Sequence, residues 1–259
     1  MYCSLRPAPQ LASGPQFIVK HATQSWSIVI FCYNEAGSLR SVIESVEQFF
    51  EQIGCPKNEI IIVDDGSTDN CEEIVREAEG SYSNIKPIRH AKNLGIGCAL
   101  RSGYAAVQYE NVCAVPGDGQ FDVAELIPYA DLPAKTLVSF YRTENSIYSL
   151  RRNILSLVNR KLNAIFLGLN VRDVNWVKIF KRTELEKLDL RMSSSLVESE
   201  ICAKLILRET KLIECKSVYH PRKAGKSKGA SFPIVLRAAL ETLKLLCVVN
   251  LDRMRRKSE

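Results

Sequence analysis

From about residue 26 to residue 141 the chain alternates short runs of β-branched and other apolar residues with longer stretches of helical periodicity. Such alternation is typical of parallel strands joined by helices that cover the faces of the sheet. Strands are predicted at residues 27–32, 59–64, 85–90, 112–115 and 136–140. The sequence therefore predicts an α/β fold with a mainly parallel sheet.

Amphipathic helices are predicted between these strands. The first has apolar residues at helical spacing before residue 54, with Ser38 as its N-cap and Gly54 as its end. Thr68 or Asp69 is expected to cap the second helix, and a third is predicted over about residues 95–109.

The second half of the chain has a mixed pattern without a linker rich in Gly, Ser or Pro. It predicts a long amphipathic helix at residues 147–166, a strand at 177–180, a helix at 196–207, a strand at 211–218 and a final helix opened by Pro233. We therefore expect an N-terminal extension over residues 1–25, one domain over residues 26–229, and an amphipathic helix with a basic tail over residues 230–259.

Composition excludes several classes of protein. Of 259 residues, 46% are hydrophobic and 25% charged, and 13 Gly and 10 Pro are too few for a low-complexity chain. The nine Cys form no Cys-x-x-Cys pair, which favours free thiols in a reducing compartment. No run of about 18 uncharged apolar residues exists, and the N-terminus lacks the order of a signal peptide. Neither a spanning helix nor export is expected.

The net charge of +6 is unevenly distributed along the chain. Residues 216–259 contain eleven Lys or Arg and three Asp or Glu, a net +8, which leaves −2 for residues 1–215. This basic part favours an anionic partner or surface. The final helix is expected either to dock on its own domain or another subunit, or to lie on a membrane with its basic end on anionic lipid. Nucleic acid is not expected, because no aromatic-interleaved platform accompanies the basic residues.

Polar and acidic loops follow three of the predicted strands. They are FCYNE at residues 31–35, VDDGSTD at residues 63–69 and PGDGQFD at residues 116–122. Ligands of open α/β sheets bind outside the carboxyl ends of the strands. Turn chemistry alone does not require carboxylates at three such ends. We therefore expect a negatively charged crevice there.

The blocks SIVIFCYNEAGSL, EIIIVDDGSTDN, HAKNLGIGCALRSGY and PGDGQFD occur in this order between residues 27 and 122. Together they resemble the family 2 glycosyltransferases of the GT-A fold, and the resemblance covers about residues 26–229. It implies a Rossmann-like sheet, a nucleotide-sugar donor held over residues 26–141, and an acceptor half over residues 142–229. It also implies a divalent cation, Mg²⁺ or Mn²⁺, on the donor diphosphate, and inversion at the anomeric carbon.

The resemblance implies site residues in the donor half. Asp118 and Gln120 match the metal motif of the family, but Pro116 stands where its first Asp would be. Metal binding is then weaker, completed by water and phosphate oxygens, or lost. The donor-binding residues it implies are Tyr33, Asn34, Glu35, Asp64, Asp65, Asn93, Gly95 and Asp118.

Within the family the second half is most similar to the polyprenyl-phosphate and dolichyl-phosphate hexosyltransferases. That similarity assigns an acceptor phosphate to arginines and serines spread along this half, and arginine forks suit phosphate oxygens. The residues implied are Arg142, Arg152, Ser156, Arg222 and Ser227. The catalytic carboxylates implied are Asp118, Asp173 and Glu200; an ordinary helix-surface charge is the alternative for Glu198 and Glu200.

These patterns lead to one main hypothesis and two alternatives. The main hypothesis is an inverting, metal-dependent transferase that moves a sugar from a nucleotide diphosphate to a polyprenyl phosphate. Such an enzyme is expected in the cytoplasm, at the cytoplasmic face of a membrane where it meets its acceptor. The alternatives are a family 2 enzyme with a soluble hydroxyl-bearing acceptor, and a non-catalytic nucleotide-binding relative. His21 and His90 are predicted to be structural.

Overall fold

The computed structural model describes residues 21–142, 170–221 and 232–257. In these ranges the strands belong to one seven-stranded sheet. They are β1 (Trp26–Cys32), β2 (Asn58–Asp64), β3 (Ile85–Arg89), β4 (Asn111–Pro116), β5 (Thr136–Arg142), β6 (Lys178–Lys181) and β7 (Lys211–Ser217). Their order across the sheet is β3-β2-β1-β4-β6-β5-β7.

Helices cover both faces of this sheet. They are α1 (Ala36–Gln52), α2 (Cys71–Ser81), α3 (Ile96–Ala106), a 3₁₀ helix (Val123–Tyr129), α4 (Arg182–Leu185), α5 (Leu196–Leu207) and α6 (Phe232–Lys257). The long helix predicted over residues 147–166 lies outside the described residues.

The predicted α/β class and mainly parallel sheet are confirmed. Strands β1, β2, β3 and β4 run parallel to one another, as do β5 and β7. Strand β6 is antiparallel to both β4 and β5 and joins the two parallel sets. The carboxyl ends of β1, β2 and β4 therefore meet at one edge of the sheet.

The core has two layers because the central strands are buried on both faces. Alternate residues of β1 and β2, such as Ile28 and Ile60, pack in one cluster with the residues of α1 and α2. The intervening residues, such as Val29 and Ile61, pack in a second cluster with α3, α5 and α6. This packing accounts for the nearly continuous apolar runs of the two strands.

Two expected helix caps differ from the structure. Helix α1 begins at Ala36, so Ser38 lies inside its first turn instead of capping it, and the Ser38 hydroxyl donates to the Gly117 carbonyl at 2.8 Å. Helix α2 begins at Cys71 after Asn70, yet Asp69 Oδ1 accepts a bond from the Cys71 N–H at 3.1 Å. Gly54, with φ of +55°, follows the end of α1 as predicted.

Helix α6 docks on its own domain through the part whose side chains are described. Leu245, Val248 and Val249 are buried in the cluster that contains α5. On the outward side, Leu251 and Met254 are 46% and 60% exposed. Across the described ranges, no helix is both long enough and apolar enough to cross a bilayer.

Candidate active site

The loops after β1, β2 and β4 are hydrogen-bonded into one unit at the carboxyl edge of the sheet. Asn34 N–H donates to the Ser67 hydroxyl at 2.9 Å, and Asn34 Oδ1 accepts from Thr68 N–H at 2.8 Å. Gly117 N–H donates to the Phe31 carbonyl at 3.0 Å. The three loops where the crevice is predicted therefore hold one another in place.

Asp64 is the buried carboxylate at the end of β2. It is 3% exposed, and its Oδ1 accepts a bond from Ser67 N–H at 2.8 Å. Its Oδ2 has no hydrogen-bond partner among the described residues and lies 3.8 Å from Arg89 Nε. Asp64 and Arg89 line a cavity of about 260 Å³ with Val75 and Ile88. A buried oxygen of this kind is a ready acceptor for an N–H or O–H group of a ligand.

Asp65 has a different environment. Its carboxylate accepts bonds from Leu94 N–H at 3.0 Å and Gly95 N–H at 2.8 Å, and lies 2.7 Å from His90 Nδ1. His90 Nε2 is 2.9 Å from the Ser102 hydroxyl. Asp65 therefore fixes the loop between β3 and α3, and His90 makes structural contacts on both ring nitrogens.

Asp118 lies in the turn after β4, where Gly119 adopts φ of +71°. Asp118 is 7% exposed, and its Oδ1 accepts a bond from Gln120 N–H at 3.1 Å. Gln120 Nε2 donates to the Tyr219 hydroxyl, and to the His220 carbonyl at 3.3 Å. The turn is thereby tied to the segment that follows β7.

The donor atoms of this turn fit only part of a metal site. Among the described residues, no group of three or more His, Cys, Asp or Glu could enclose a metal ion. Pro116, the last residue of β4, offers no carboxylate. Mg²⁺ is commonly bound by one or two carboxylates together with waters and substrate phosphates. Asp118 and Gln120 therefore fit a cation that arrives with the diphosphate of a nucleotide.

Arg142 ends β5 close to this turn. Its Nε and Nη2 donate to the two oxygens of Asp173 at 2.7 and 3.1 Å. Its guanidinium lies 4.7 Å from the centre of the Trp176 ring and 5.8 Å from that of Tyr219. Tyr219 thus contacts both Gln120 and Arg142, and it joins the turn after β4 to the predicted acceptor residue.

Trp176 and Tyr219 were not identified from the sequence as part of the site. The signal that could have found them is their position: each aromatic residue lies within three residues of a predicted site residue or of the end of a predicted strand. Stacking of arginine on aromatic rings is common where a guanidinium must be held in one orientation.

The remaining predicted donor residues lie at the same edge of the sheet. Tyr33 and Glu35 follow β1, Asn93 is exposed in the loop before α3, and Gly95 is the N-cap of α3 with φ of +96°. The predicted acceptor residues Arg152, Ser156, Arg222 and Ser227 lie outside the described residues.

Glu200 is in the core and not in the crevice. It is 0% exposed, accepts bonds from the N–H groups of Arg191 and Met192, and pairs with Lys204 at 2.8 Å. A carboxylate with these partners holds the chain before α5, so we propose a structural role for it in place of the catalytic one.

Glu198 forms a buried ion pair with Lys178 at 2.5 Å. Lys178 Nζ also donates to the carbonyls of Val174 and Trp176, at 2.7 and 2.8 Å. Burial lowers the pKa of Lys178, but the Glu198 carboxylate and other nearby negative groups outweigh it, and the pKa is raised overall. The pair therefore anchors the segment that carries Asp173 and Trp176.

Comparison with known proteins agrees with this architecture. Residues 27–186 match the family model described as glycosyl transferase family 2. A dolichyl-phosphate beta-glucosyltransferase from Saccharomyces cerevisiae is 34% identical over 109 residues, which are 39% of this chain and 33% of that relative. A polyprenol monophosphomannose synthase from Mycolicibacterium smegmatis is 23% identical over 220 residues, 80% of this chain and 81% of that relative. The match to the first relative spans about a third of its length.

Solved structures show the same fold. Glucosyl-3-phosphoglycerate synthase from Mycobacterium tuberculosis, in complex with Mn²⁺, uridine-diphosphate-glucose and phosphoglyceric acid, superposes with a TM-score of 0.64 at 17% identity. The superposition covers 87% of this chain and 80% of that one.

Proposed function

The chain belongs to glycosyl transferase family 2, and we propose that it transfers a sugar, with inversion, from a nucleotide-diphosphate sugar to a polyprenyl phosphate. The observation that carries the proposal is the contact of Tyr219 with both Gln120 and Arg142. It joins the turn that suits a donor diphosphate to a guanidinium that suits an acceptor phosphate.

The donor side of the proposal rests on Asp64, Asp118 and the loop that Asp65 holds. Asp64 Oδ2 has no hydrogen-bond partner among the described residues and lies at the wall of a cavity that Arg89 also lines, so it suits a group that presents N–H or O–H donors, such as a nucleoside. Asp118 and Gln120 would hold Mg²⁺ or Mn²⁺. When bound, the cation supplies a Lewis acid that stabilises the departing diphosphate. The metal-bound complexes of the structural neighbours support this assignment.

On the acceptor side, Arg142 is oriented by contacts within the protein itself. Asp173 and the rings of Trp176 and Tyr219 hold its guanidinium in one plane, so a phosphate would meet a donor group already in position. We propose that Arg152, Ser156, Arg222 and Ser227 complete the phosphate site.

The second ionisation of a phosphate monoester lies near pH 6, so the acceptor oxygen is largely anionic at neutral pH. A strong general base is not required. Asp173 therefore need not act as a base. Both of its oxygens accept bonds from Arg142, and its proposed role is to position that arginine.

Two relatives support a lipid-linked acceptor, since one is a dolichyl-phosphate beta-glucosyltransferase and the other a polyprenol monophosphomannose synthase. A protein with such an acceptor would work at a membrane surface, and we propose peripheral association with the cytoplasmic face. The structural neighbour in complex with phosphoglyceric acid shows that a soluble phosphate can occupy this fold. A small phosphate-bearing acceptor is therefore the second candidate.

The proposal is tested in two stages with the full chain. Uridine- and guanosine-diphosphate sugars are first titrated by calorimetry with and without Mn²⁺, and binding is expected only for one base and to be stronger with the metal. The bound donor, with a radiolabelled sugar, is then incubated with undecaprenyl phosphate or dolichyl phosphate in detergent, and with 3-phosphoglycerate. Label in the lipid fraction supports the proposal. Label only in phosphoglycerate favours the second candidate, and donor binding without any transfer indicates a non-catalytic relative.

A further inference from the structure

The segment between α4 and α5 is held by helix α6. Ser193 donates from its hydroxyl to Glu241 Oε1 at 2.5 Å, and Ser194 N–H donates to Glu241 Oε2 at 3.0 Å. One turn further along α6, Lys244 Nζ donates to the Arg191 carbonyl at 3.2 Å. A single carboxylate on α6 therefore accepts hydrogen bonds from both Ser193 and Ser194.

The same two serines lie against the first turn of α3. A Cβ atom added to Gly97 would lie 2.3 Å from the Ser194 carbonyl oxygen and 2.4 Å from the Ser193 carbonyl carbon. Cys98 Sγ lies 3.9 Å from the Ser193 carbonyl oxygen. The backbone of α3 contacts the backbone of the two serines here, at a distance that only a glycine at position 97 permits. A displacement of the serines would therefore be transmitted to α3.

The first turn of α3 is part of the proposed donor site. Gly95 is the N-cap of α3 and donates its N–H to Asp65 Oδ2 at 2.8 Å. Leu94 N–H donates to the other oxygen of the same carboxylate. The contacts thus form a continuous path from Glu241 through the serines and Gly97 to the loop that contains Asn93.

We propose that Glu241 is a positioning residue for donor binding, which acts through Ser193 and Ser194 on the N-terminal turn of α3. The inference rests on the proposed function, because it takes the loop before α3 to be part of the nucleotide-sugar site. It makes the C-terminal helix a necessary part of that site, although α6 lies outside the residues 27–186 that match the family model.

The chemistry of Glu241 suits this role. A carboxylate can accept from a hydroxyl and an amide at once, whereas a glutamine can keep the bond from Ser194 N–H only by turning its NH₂ group to the Ser193 hydroxyl, which must then accept instead of donate. Burial raises the pKa of Glu241, but the hydrogen bonds from Ser193 and Ser194 outweigh it and leave the pKa lowered. The side chain is therefore ionised at neutral pH.

The test compares Glu241→Gln with the matched control Asp252→Asn. Both changes replace a carboxylate of α6 by an amide, but Asp252 lies 3.6 Å from Lys204 and, within the described part of the chain, has no hydrogen bond to the serines. Amide hydrogen exchange of residues 91–100 is measured for the full chain, together with calorimetric binding of uridine and guanosine diphosphate in the presence of Mn²⁺. Ser193→Ala, which removes only the hydroxyl, is the second variant in case Glu241→Gln does not fold.

We expect Glu241→Gln to speed exchange at residues 94–98 and to weaken binding of the nucleotide about three- to tenfold, the loss typical of one hydrogen bond. Asp252→Asn should leave both unchanged, and KM for the acceptor should not move with either variant. Unchanged exchange and affinity in both Glu241→Gln and Ser193→Ala, or in whichever of the two alone folds, would overturn the inference while the proposed function stands. A wild-type chain that binds neither nucleotide would overturn both.

Discussion

At the scale of single residues, Asp64 and Asp65 differ in how many hydrogen bonds their carboxylate oxygens accept from the protein. Asp65 accepts bonds from two backbone N–H groups and contacts His90. Asp64 keeps Oδ2 without a hydrogen-bond partner among the described residues. The two residues are adjacent in the sequence, so their motif alone cannot distinguish them. The difference arises because Asp64 faces the cavity beside α2, whereas Asp65 meets the loop before α3.

Asp118→Asn should abolish most of the transfer activity and leave the fold intact. The substitution keeps the shape of the side chain but removes the negative charge that would hold the cation. Loss of one such electrostatic contribution typically lowers kcat by about a hundredfold or more. The measurement is kcat with saturating donor and Mn²⁺, together with the thermal unfolding midpoint. Activity near that of the wild type would remove Asp118 from the metal site.

Pro116→Asp should tighten the binding of Mn²⁺ in the presence of nucleotide. The change places a second carboxylate two residues before Asp118, and oxygen ligands of this kind raise affinity for hard divalent cations. Affinity is measured by titration of Mn²⁺ into the complex with nucleotide. If the affinity does not change, the end of β4 does not face the cation.

Arg142→Ala should weaken use of the acceptor and leave KM for the donor nearly unchanged. A charge-assisted hydrogen bond contributes about 1.5–3 kcal/mol, so kcat/KM for the acceptor should fall about tenfold to a hundredfold. Arg142→Lys should restore only part of the activity, because one ammonium cannot reproduce a bidentate fork. A rise in KM for the donor alone would place Arg142 in the donor site instead.

At the scale of helices and strands, the sequence predicted elements whose signals are local. Helix α5 was expected at residues 196–207 and is Leu196–Leu207, and β2 begins one residue earlier than expected. The role of Ser38 was wrong because its partner Gly117 is 79 residues away in the sequence. The antiparallel direction of β6 was not predictable either, since it follows from how the chain returns between β4 and β5.

The junction of α1 and α2 should be sensitive to acid through Asp69. Asp69 Oδ2 accepts from Ala36 N–H at 2.9 Å while Oδ1 accepts from Cys71 N–H, so one carboxylate joins the starts of both helices. Burial raises the pKa of Asp69, but hydrogen bonds from the Cys71 thiol and from backbone N–H groups outweigh it and leave the pKa lowered.

Because the folded state has the lower pKa, the charge of Asp69 stabilises the fold above the ordinary aspartate pKa of about 3.9. That contribution is lost as the pH falls through the lowered value. Asp69→Ala should cost about 0.5–2 kcal/mol of unfolding free energy at pH 7, as loss of a helix cap does. The difference from wild type should shrink below about pH 4. A difference that is constant from pH 7 to pH 3, measured by urea unfolding, would contradict this role.

At the scale of the whole molecule, the meeting of the three acidic loops at one edge of the sheet was predictable, but the contacts between distant residues of the candidate site were not. Carboxylates after three strands indicated the edge of the sheet, because parallel strands place their carboxyl ends together. Gln120 and Tyr219 are hydrogen-bonded although they are 99 residues apart in the sequence, and so are Arg142 and Asp173, which are 31 residues apart. Such pairings depend on the order of β4, β6, β5 and β7 in the sheet, which no local pattern specifies.

The charge distribution of the whole molecule predicts that it binds an anionic membrane surface. Residues 216–259 carry a net +8 and residues 1–215 a net −2. Leu251 and Met254, on the outward side of α6, are exposed next to the basic end of that helix. Each Lys or Arg near an anionic surface contributes about 1 kcal/mol, and the attraction is screened by salt. We therefore expect the chain to bind vesicles that contain phosphatidylglycerol and to be released by salt.

Replacement of Arg255, Arg256 and Lys257 by Gln tests how much the basic end of α6 contributes to the affinity for anionic vesicles. At about 1 kcal/mol each, the three changes should weaken vesicle binding about a hundredfold at low salt. Nucleotide affinity should stay constant, because none of these residues belongs to the proposed donor site. Sedimentation with vesicles gives the affinity. Equal binding of the wild type to neutral phosphatidylcholine vesicles, or an affinity that does not fall with salt, would show that charge does not direct the molecule to the surface.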